Sequence, residues 1–335
     1  MLNVWRAPHR DDIAPRVNEF LQNLPGPVAI HVQGEDESRT RVLVTLSHGN
    51  EPSGLEAVHA WLLSGAVPRT NIVVILGAVE AALAEPLFFY RQLPGQRDLN
   101  RCFNPPYKDR QGQLAQAILR YIRDLEPEAV VDMHNTSGSS AAFAVTIGDS
   151  PAQRSLVSQF VDRLIVTDLR LGSLMEQDCG CPVVTIEAGG SQDEASDVVA
   201  REGLSNYFHR DALYDQDAGV AIYTHPLRLE LAHHSRIDYA ERPLHDRDIT
   251  VRADIERFNF APVEPEDMLG WLDEDGLSHL LIGSDYQPHE VSEFFRVSEG
   301  KLYPTRHMRL FMATTRPDIA ASDCLFYFVY DETAD

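Results

Sequence analysis

Along the first two thirds of the chain, runs of apolar residues alternate with segments in which apolar residues recur at helical spacing. The run from Val42 to Leu46 is apolar and contains β-branched residues, as expected of a buried strand. Directly after it, Leu55, Val58 and Leu62 fall on one face of a helix. The same reasoning predicts strands at 28–33, 71–79, 128–134, 141–147 and 182–187, and helices at 13–24, 113–125, 151–164 and 191–213. The alternation predicts an α/β fold with a mostly parallel or mixed sheet flanked by helices.

The pattern changes after residue 214. Short strand-like runs separated by Pro, Gly and Asp follow, at 227–231, 249–253 and 324–330. The polar stretch from Tyr214 to Gly219 is the predicted junction. We therefore predict two domains, an α/β domain of residues 1–214 and a smaller β-rich domain of residues 215–335.

The charge balance excludes some classes of partner. Twenty-nine basic residues stand against 51 acidic ones, which gives a net charge of −22. A nucleic acid or an anionic membrane would be repelled by such a chain. No segment approaches the length of a membrane span, and the first ten residues lack the apolar core of a signal peptide. The four cysteines do not make a disulfide framework in 335 residues, so we expect a cytoplasmic protein.

Two polar segments that follow or end predicted strands contain residues of the types that bind metal ions. His48 and Glu51 lie three residues apart in the turn between the first strand and its helix, and His134 ends a later apolar run. Ligands of α/β proteins bind beyond the carboxyl ends of the strands. Two histidines and one glutamate are an established set for a catalytic zinc ion with an open fourth position. The alternative is that these histidines are ordinary structural residues near strand ends.

Four blocks in this order resemble a known family, namely His48–Glu51, Asp98–Arg101, Asp132–Thr136 and Thr185–Gly190. They are similar to the motifs of the aspartoacylase and succinylglutamate desuccinylase family, a branch of the zinc carboxypeptidase-like fold. The resemblance implies a zinc-hydrolase catalytic domain over residues 1–214, and a C-terminal β domain that partly covers the active site. It also implies removal of the acyl group from an N-acyl amino acid.

The resemblance assigns catalytic roles as well. Glu187 matches the catalytic glutamate, which would act as general base and acid when a zinc-bound water attacks the amide. An arginine before the Asp-Leu-Asn-Arg block would stabilise the oxyanion. Arg91 and Arg97 compete for this role, and we favour Arg91 because Arg97 adjoins the block. Asp98 and Asp132 are expected to orient arginine or the metal ligands.

Substrate contacts are expected from three further residues. Asn100 and Arg101 match the residues that hold a substrate carboxylate, and Tyr303 resembles a substrate-contacting tyrosine of the C-terminal domain. Aspartoacylases carry another arginine some ten residues before the catalytic glutamate. This chain has Gln177 there, with Arg170 as the nearest arginine, so the acyl group and the amino acid stay open.

The sequence thus predicts a hydrolase that binds one Zn²⁺ per chain at His48, Glu51 and His134. Its expected partner is a small anionic N-acyl amino acid, with no nucleic acid and no membrane, and a homo-oligomer stays open. The alternatives are a succinylglutamate desuccinylase, a zinc carboxypeptidase, and a binding protein that has kept the fold without turnover. Retention of Glu187 argues against the last, because a binding site needs no base.

Overall fold

The computed structural model describes residues 1–215, 219–283 and 288–330. The chain divides into two compact units. The first comprises Met1–Asn135 and Ala142–Ile222, and the second comprises Thr136–Ala141 and the part of the chain from Tyr223 onward. The domain division at residue 214 stays a prediction, and residues 216–218 of the predicted junction lie outside the described residues.

The first unit is built on a mixed sheet, of which only Thr136, Tyr223 and Thr224 are assigned to the second unit. Among the described residues, nine strands form it in the order β1-β2-β4-β3-β5-β8-β6-β7-β9. They are β1 (Asn3–Arg6), β2 (Val28–Val32), β3 (Asp36–Thr45), β4 (Thr70–Leu76), β5 (Ala129–Thr136), β6 (Phe143–Thr146), β7 (Arg163–Val166), β8 (Val183–Gly190) and β9 (Ala221–Thr224). The central strands β4, β3 and β5 run parallel, whereas β2 pairs antiparallel with β4 and β6 pairs antiparallel with β8.

Helices cover this sheet, and central strands such as β5 and β8 are buried on both faces. The helices are α1 (Val17–Gln22), α2 (Ser53–Ser64), α3 (Val79–Leu83), α4 (Arg110–Asp124), α5 (Pro151–Val157) and α6 (Glu194–His209). Along β5, Val131 and Met133 belong to one apolar cluster, while Val130 between Ala129 and Val131 belongs to another. Since successive side chains of a strand point to opposite faces, the unbroken apolar runs of the sequence are explained by this double covering. The predicted flanked α/β sheet is confirmed.

Some predicted elements are shorter than expected. The helix predicted at 151–164 ends at Val157, and Leu164 lies instead in β7, paired with Ala144 of β6. The helix predicted at 13–24 is reduced to α1, which begins after Pro15. The strand predicted at 71–79 ends at Leu76, and Val79 begins α3. Apolar periodicity cannot place such boundaries, because a short apolar run suits a buried helix and a buried strand equally.

The second unit is β-rich, as predicted. Its described residues form two five-stranded sheets, in the orders β13-β18-β19-β10-β15 and β11-β12-β14-β17-β16. The elements are β10 (Leu227–Leu231), β11 (Ile237–Ala240), β12 (Ile249–Arg252), β13 (Pro262–Val263), β14 (Gly270–Leu272), β15 (Leu280–Gly283), β16 (Phe295–Ser298), β17 (Lys301–Pro304), β18 (Met308–Phe311), α7 (Pro317–Ser322) and β19 (Phe326–Tyr330). Side chains from both sheets, including Leu229, Val251 and Leu310, share one apolar core.

In the described part of the chain, no helix has the length and apolar character needed to cross a lipid bilayer.

Candidate metal centre

The turn between β3 and α2 carries His48 and Glu51, which are only 2% and 5% exposed. The buried apolar side chains of β3 and α2 fix the two ends of this turn. Gly49 lies so close to α3 that a Cβ atom there would stand 2.5 Å from the backbone nitrogen of Ala82. A side chain at this position would displace the turn, so glycine is required for the close approach.

His134 lies near the end of β5 and meets the same carboxylate. Nδ1 of His48 is 2.8 Å from Oε1 of Glu51, and Nδ1 of His134 is 2.7 Å from Oε2. The three residues are buried, and one ligand atom from each lies within 4.8 Å of the others. The structure therefore brings together the three residues that the sequence assigned to the metal.

The outer nitrogens of both histidines face carboxylates. Nε2 of His48 is 2.8 Å from Oδ1 of Asp98, and Nε2 of His134 is 3.0 Å from Oδ2 of Asp132. The Asp98 contact can hold the Nε2 proton of His48 and leave its Nδ1 free to bind a metal, whereas Oδ2 of Asp132 makes no hydrogen bond among the described residues and acts on His134 through its charge. The orienting roles expected of Asp98 and Asp132 stay predictions.

The charges at the centre shift the pKa values of its members. Burial opposes ionisation of Glu51, but the two histidines outweigh burial and hold the pKa of Glu51 below its usual range. Burial likewise opposes charge on His134, yet Asp132 and Glu51 raise the pKa of His134 well above 6.5. The centre thus keeps a negative carboxylate between two imidazoles, an arrangement that suits a cation.

The donor set fits a zinc ion. Two imidazole nitrogens and a carboxylate are borderline and hard ligands of the kind found at catalytic zinc, and the carboxylates behind the rings complete the pattern. His48, Glu51 and His134 are the residues that would hold the ion.

Glu187 lies near the end of β8 on the same face of the sheet as His134. Val130 of β5 and Val183 of β8 belong to one apolar cluster, and the alternation of side chains puts His134 and Glu187 on the face of these valines. Glu187 is 9% exposed, and its Oε2 has no hydrogen-bond partner among the described residues. Burial raises the pKa of Glu187 to about 7. An unbonded buried carboxylate is costly in a purely structural role and common in active sites.

The structure distinguishes Arg91 from Arg97. Nη1 of Arg91 lies 3.4 Å from Oε1 of Glu51, and its Nη2 lies 2.9 Å from Oδ2 of Asp98. Arg97 is more exposed and donates to Asp109 instead, with 2.8 Å between Nη2 and Oδ1. Arg91 is therefore the arginine at the centre.

Asn100 and Arg101 lie beside the centre in different environments. Asn100 is 6% exposed; its Oδ1 accepts from the backbone N–H of Leu174 at 3.1 Å, and its Nδ2 lies 3.3 Å from Nε2 of His134. To contact substrate as predicted, Asn100 must therefore give up its contact with Leu174 or with His134. Arg101 is partly exposed and donates to the carbonyl of Asn100 at 3.0 Å, and among the described residues it forms no ion pair. Its guanidinium is available to an anion.

The remaining predicted positions have other contacts. Tyr303 belongs to β17 of the second unit, where the guanidinium of Arg296 stands 4.7 Å from its ring centroid. Its role in substrate binding stays a prediction. Gln177 donates to Oδ1 of Asn104 at 3.0 Å, and Arg170 donates to the carbonyl of Asp168 at 3.1 Å.

One buried polar residue at the centre was not singled out from the sequence. Asn135 directly follows His134, is 4% exposed, and bonds to Ser53 and to the carbonyl of Gly189. Its position next to a metal ligand, at the end of an apolar strand, is the signal that could have identified it.

Comparison with solved structures shows three proteins with the same fold. A succinylglutamate desuccinylase/aspartoacylase from Rhodobacter sphaeroides is 16% identical, with a TM-score of 0.55 over 90% of this chain and 88% of that one. The product-bound ectoine utilization protein EutE (DoeB) from Ruegeria pomeroyi is 15% identical, with a TM-score of 0.55 over 89% and 86% of the chains. A mutant of murine aminoacylase 3 is 16% identical, with a TM-score of 0.51 over 88% and 97%.

The sequence comparison gives one match to a protein family. No curated protein sequence matches this chain. Residues 38–198 match the family described as succinylglutamate desuccinylase/aspartoacylase catalytic domain, and this range contains His48, Glu51, His134 and Glu187. The chain thus contains a segment similar to the succinylglutamate desuccinylase/aspartoacylase catalytic domain, within a fold that it shares with solved members of that family.

Proposed function

We propose that the protein is a zinc-dependent amidohydrolase that releases a carboxylic acid and a free amino acid from an N-acyl amino acid. The observation that carries the proposal is the convergence of His48, Glu51 and His134, with their ligand atoms within 4.8 Å, beside the buried and unbonded carboxylate of Glu187. A binding protein would gain nothing from that carboxylate, which lowers stability when it is ionised without a partner. The family, whose members hydrolyse amide bonds, supports the same reaction class.

Glu187 is the residue that moves the proton. Zinc supplies Lewis acidity, which acidifies water and polarises a carbonyl group. The Glu187 carboxylate takes the proton of the attacking water and then gives it to the departing amide nitrogen, so that the amine leaves neutral. Because one carboxylate oxygen is free of protein hydrogen bonds, it can accept this proton without breaking an existing contact.

Arginines supply the charge that the substrate and the reaction need. Arg91 contacts Glu51 at 3.4 Å, so its guanidinium stands beside the metal ligands, where it can stabilise an oxyanion. Arg101 forms no ion pair among the described residues and suits bidentate binding of the α-carboxylate of an amino acid. Asn100 would hold the same carboxylate together with Arg101, and Tyr303 would also contact substrate.

The test combines metal analysis of the purified protein with a hydrolysis panel. The panel contains N-acetyl-aspartate, N-succinyl-glutamate, several other N-acetyl amino acids and a short unacylated peptide. The proposal expects one zinc per chain and turnover of at least one N-acyl amino acid. Cleavage of the peptide alone would indicate a carboxypeptidase, and stoichiometric zinc with no turnover of any substrate would indicate a binding protein.

A further inference from the structure

The side chain of Asn135 connects two other segments of the metal centre. Its Oδ1 accepts from the backbone N–H of Ser53 at 3.1 Å. Its Nδ2 donates to Oγ of Ser53 at 3.0 Å and to the carbonyl of Gly189 at 3.0 Å. Both N–H donors and the carbonyl of this buried amide are therefore used, so the orientation of the side chain is fully determined.

The atoms that Asn135 contacts lie two residues from Glu51 and two residues from Glu187. Ser53 is the first residue of α2, and its N–H is one of the groups at a helix start that has no partner within the helix. Asn135 thus caps α2 from a neighbouring strand. Gly189 has φ +109°, a conformation that favours glycine, and its carbonyl accepts the second N–H of the amide.

The backbone of Asn135 reaches the metal ligands as well. Its N–H lies 3.3 Å from Oε2 of Glu51, the same oxygen that faces Nδ1 of His134. One residue is consequently bonded to the turn that carries His48 and Glu51, to the strand end that carries Glu187, and covalently to His134.

We propose that Asn135 is a positioning residue that sets the metal-binding carboxylate of Glu51 and the catalytic carboxylate of Glu187 at a fixed separation. This inference rests on the proposed function. A general base must stand within hydrogen-bond reach of the water whose proton it takes, and a displacement of about 1 Å can lower the rate about 100-fold. Van der Waals packing alone would allow α2 and the end of β8 to shift independently. The Asn135 amide couples the two through directional bonds.

The test measures zinc affinity and turnover in Asn135→Ala. Zinc affinity is determined by competition with a chromophoric chelator, which needs no activity. We expect the zinc Kd to rise about 10- to 100-fold, the range typical of residues that orient metal ligands. In zinc-saturated protein we expect kcat to fall about 100-fold with KM little changed, because the amide contacts no substrate.

Asn259→Ala is the matched control. Asn259 of the second unit is also buried, and its amide likewise makes three hydrogen bonds, to the carbonyls of Ser139 and Ala313 and from the N–H of Ala313. None of these bonds reaches a predicted metal ligand. We expect this variant to lose thermal stability without a change in zinc Kd or kcat. Asn135→Ser can keep one of the hydrogen bonds, so its zinc Kd and kcat should lie between those of wild type and Asn135→Ala. This variant replaces Asn135→Ala in the test if the alanine variant does not fold.

The outcomes separate this inference from the proposed function. If wild type binds zinc and turns over substrate while both Asn135 variants keep the wild-type zinc Kd and kcat, Asn135 is merely structural and the inference is wrong. If wild type binds no zinc, the proposed function fails and the inference fails with it. If wild type binds zinc without turnover, a raised zinc Kd in the variants still supports the link between Asn135 and Glu51.

Discussion

Oδ1 of Asp98 lies 2.8 Å from Nε2 of His48, on the edge of the imidazole ring opposite to Glu51. The other carboxylate oxygen of Asp98 is bonded to Arg91. Burial opposes ionisation of Asp98, but the charges of His48 and Arg91 outweigh burial and lower the pKa of Asp98. Asp98 therefore stays ionised and can hold the Nε2 proton of His48, which leaves Nδ1 free to bind a metal ion.

Asp98→Asn should weaken zinc binding without preventing folding. The amide is isosteric but is a poorer acceptor for the Nε2 proton, so the zinc Kd should rise about 10- to 100-fold. Chelator competition measures the change. Asp109→Asn is the control, since Asp109 also binds an arginine, Arg97, but contacts no histidine among the described residues. An unchanged zinc Kd in Asp98→Asn would show that His48 is oriented by its packing alone.

His134→Ala should abolish the stabilisation of the protein by zinc. A ligand that binds only the folded state raises stability by RT ln(1 + [L]/Kd), and loss of one of three ligands removes most of this gain. Thermal denaturation with and without added zinc checks the prediction. His59→Ala is the control, because His59 is a buried histidine that donates to the carbonyl of Ala14 rather than to a carboxylate. It should lower Tm and keep the zinc-dependent increase.

The clustering of His48, Glu51 and His134 could be predicted from the sequence because each residue ends or follows an apolar run. His48, Glu51 and His134 stand beyond or near the carboxyl ends of adjacent parallel strands, and the strand order alone brings them together. The β-rich character of the second unit was equally visible, since its short runs are separated by turn residues.

Contacts between distant loops could not be predicted. Arg91 and Arg97 are chemically equivalent in a sequence, and only the course of the loop shows that Arg97 turns toward Asp109. The position of Asn100 between Leu174 and His134 depends likewise on a loop more than 70 residues further along the chain. Side-chain hydrogen bonds of this kind have no periodicity and leave no signal in a single sequence.

Glu187→Gln should separate catalysis from metal binding. Glutamine keeps the shape of the side chain but cannot accept the proton of a water molecule, so kcat should fall by about 10²–10⁴. Zinc content should stay at the wild-type value, because Glu187 is not among the three proposed ligands. Metal analysis and steady-state kinetics on the same preparation check both statements. Loss of zinc with little loss of kcat after zinc is restored would make Glu187 a ligand.

The same substitution should stabilise the metal-free protein at alkaline pH. Burial raises the pKa of Glu187 from 4.5 to about 7 in the folded chain, so the folded state holds this proton more tightly than the unfolded state. Stability is therefore lost as pH rises from the unfolded pKa through the folded one, by about 3 kcal/mol at most. Glutamine does not titrate. The Tm of Glu187→Gln relative to wild type should thus be higher at pH ~8 than at pH ~5, and parallel pH profiles of Tm would contradict the prediction.

Arg101 should determine the preference for a free carboxylate in the substrate. It is partly exposed beside the centre and, among the described residues, forms no ion pair, so its guanidinium can meet the α-carboxylate of an N-acyl amino acid. A charge-assisted contact contributes about 2–3 kcal/mol, or about 30- to 150-fold in kcat/KM. Arg101→Ala should lose this factor. The kcat/KM of Arg101→Lys should lie between those of wild type and Arg101→Ala, because lysine keeps the charge without the bidentate geometry.

A double-mutant cycle tests whether Arg101 and the carboxylate act on each other. The first change is Arg101→Ala and the second is amidation of the substrate carboxylate, with kcat/KM measured for all four combinations. If the two groups are in contact, the amidated substrate should be nearly indifferent to the mutation, since the interaction is already lost. Arg97→Ala, whose guanidinium is paired with Asp109, should show no coupling with either substrate. Full additivity for Arg101 would mean that the carboxylate binds elsewhere, and Arg91 and Arg170 would then be the residues to test.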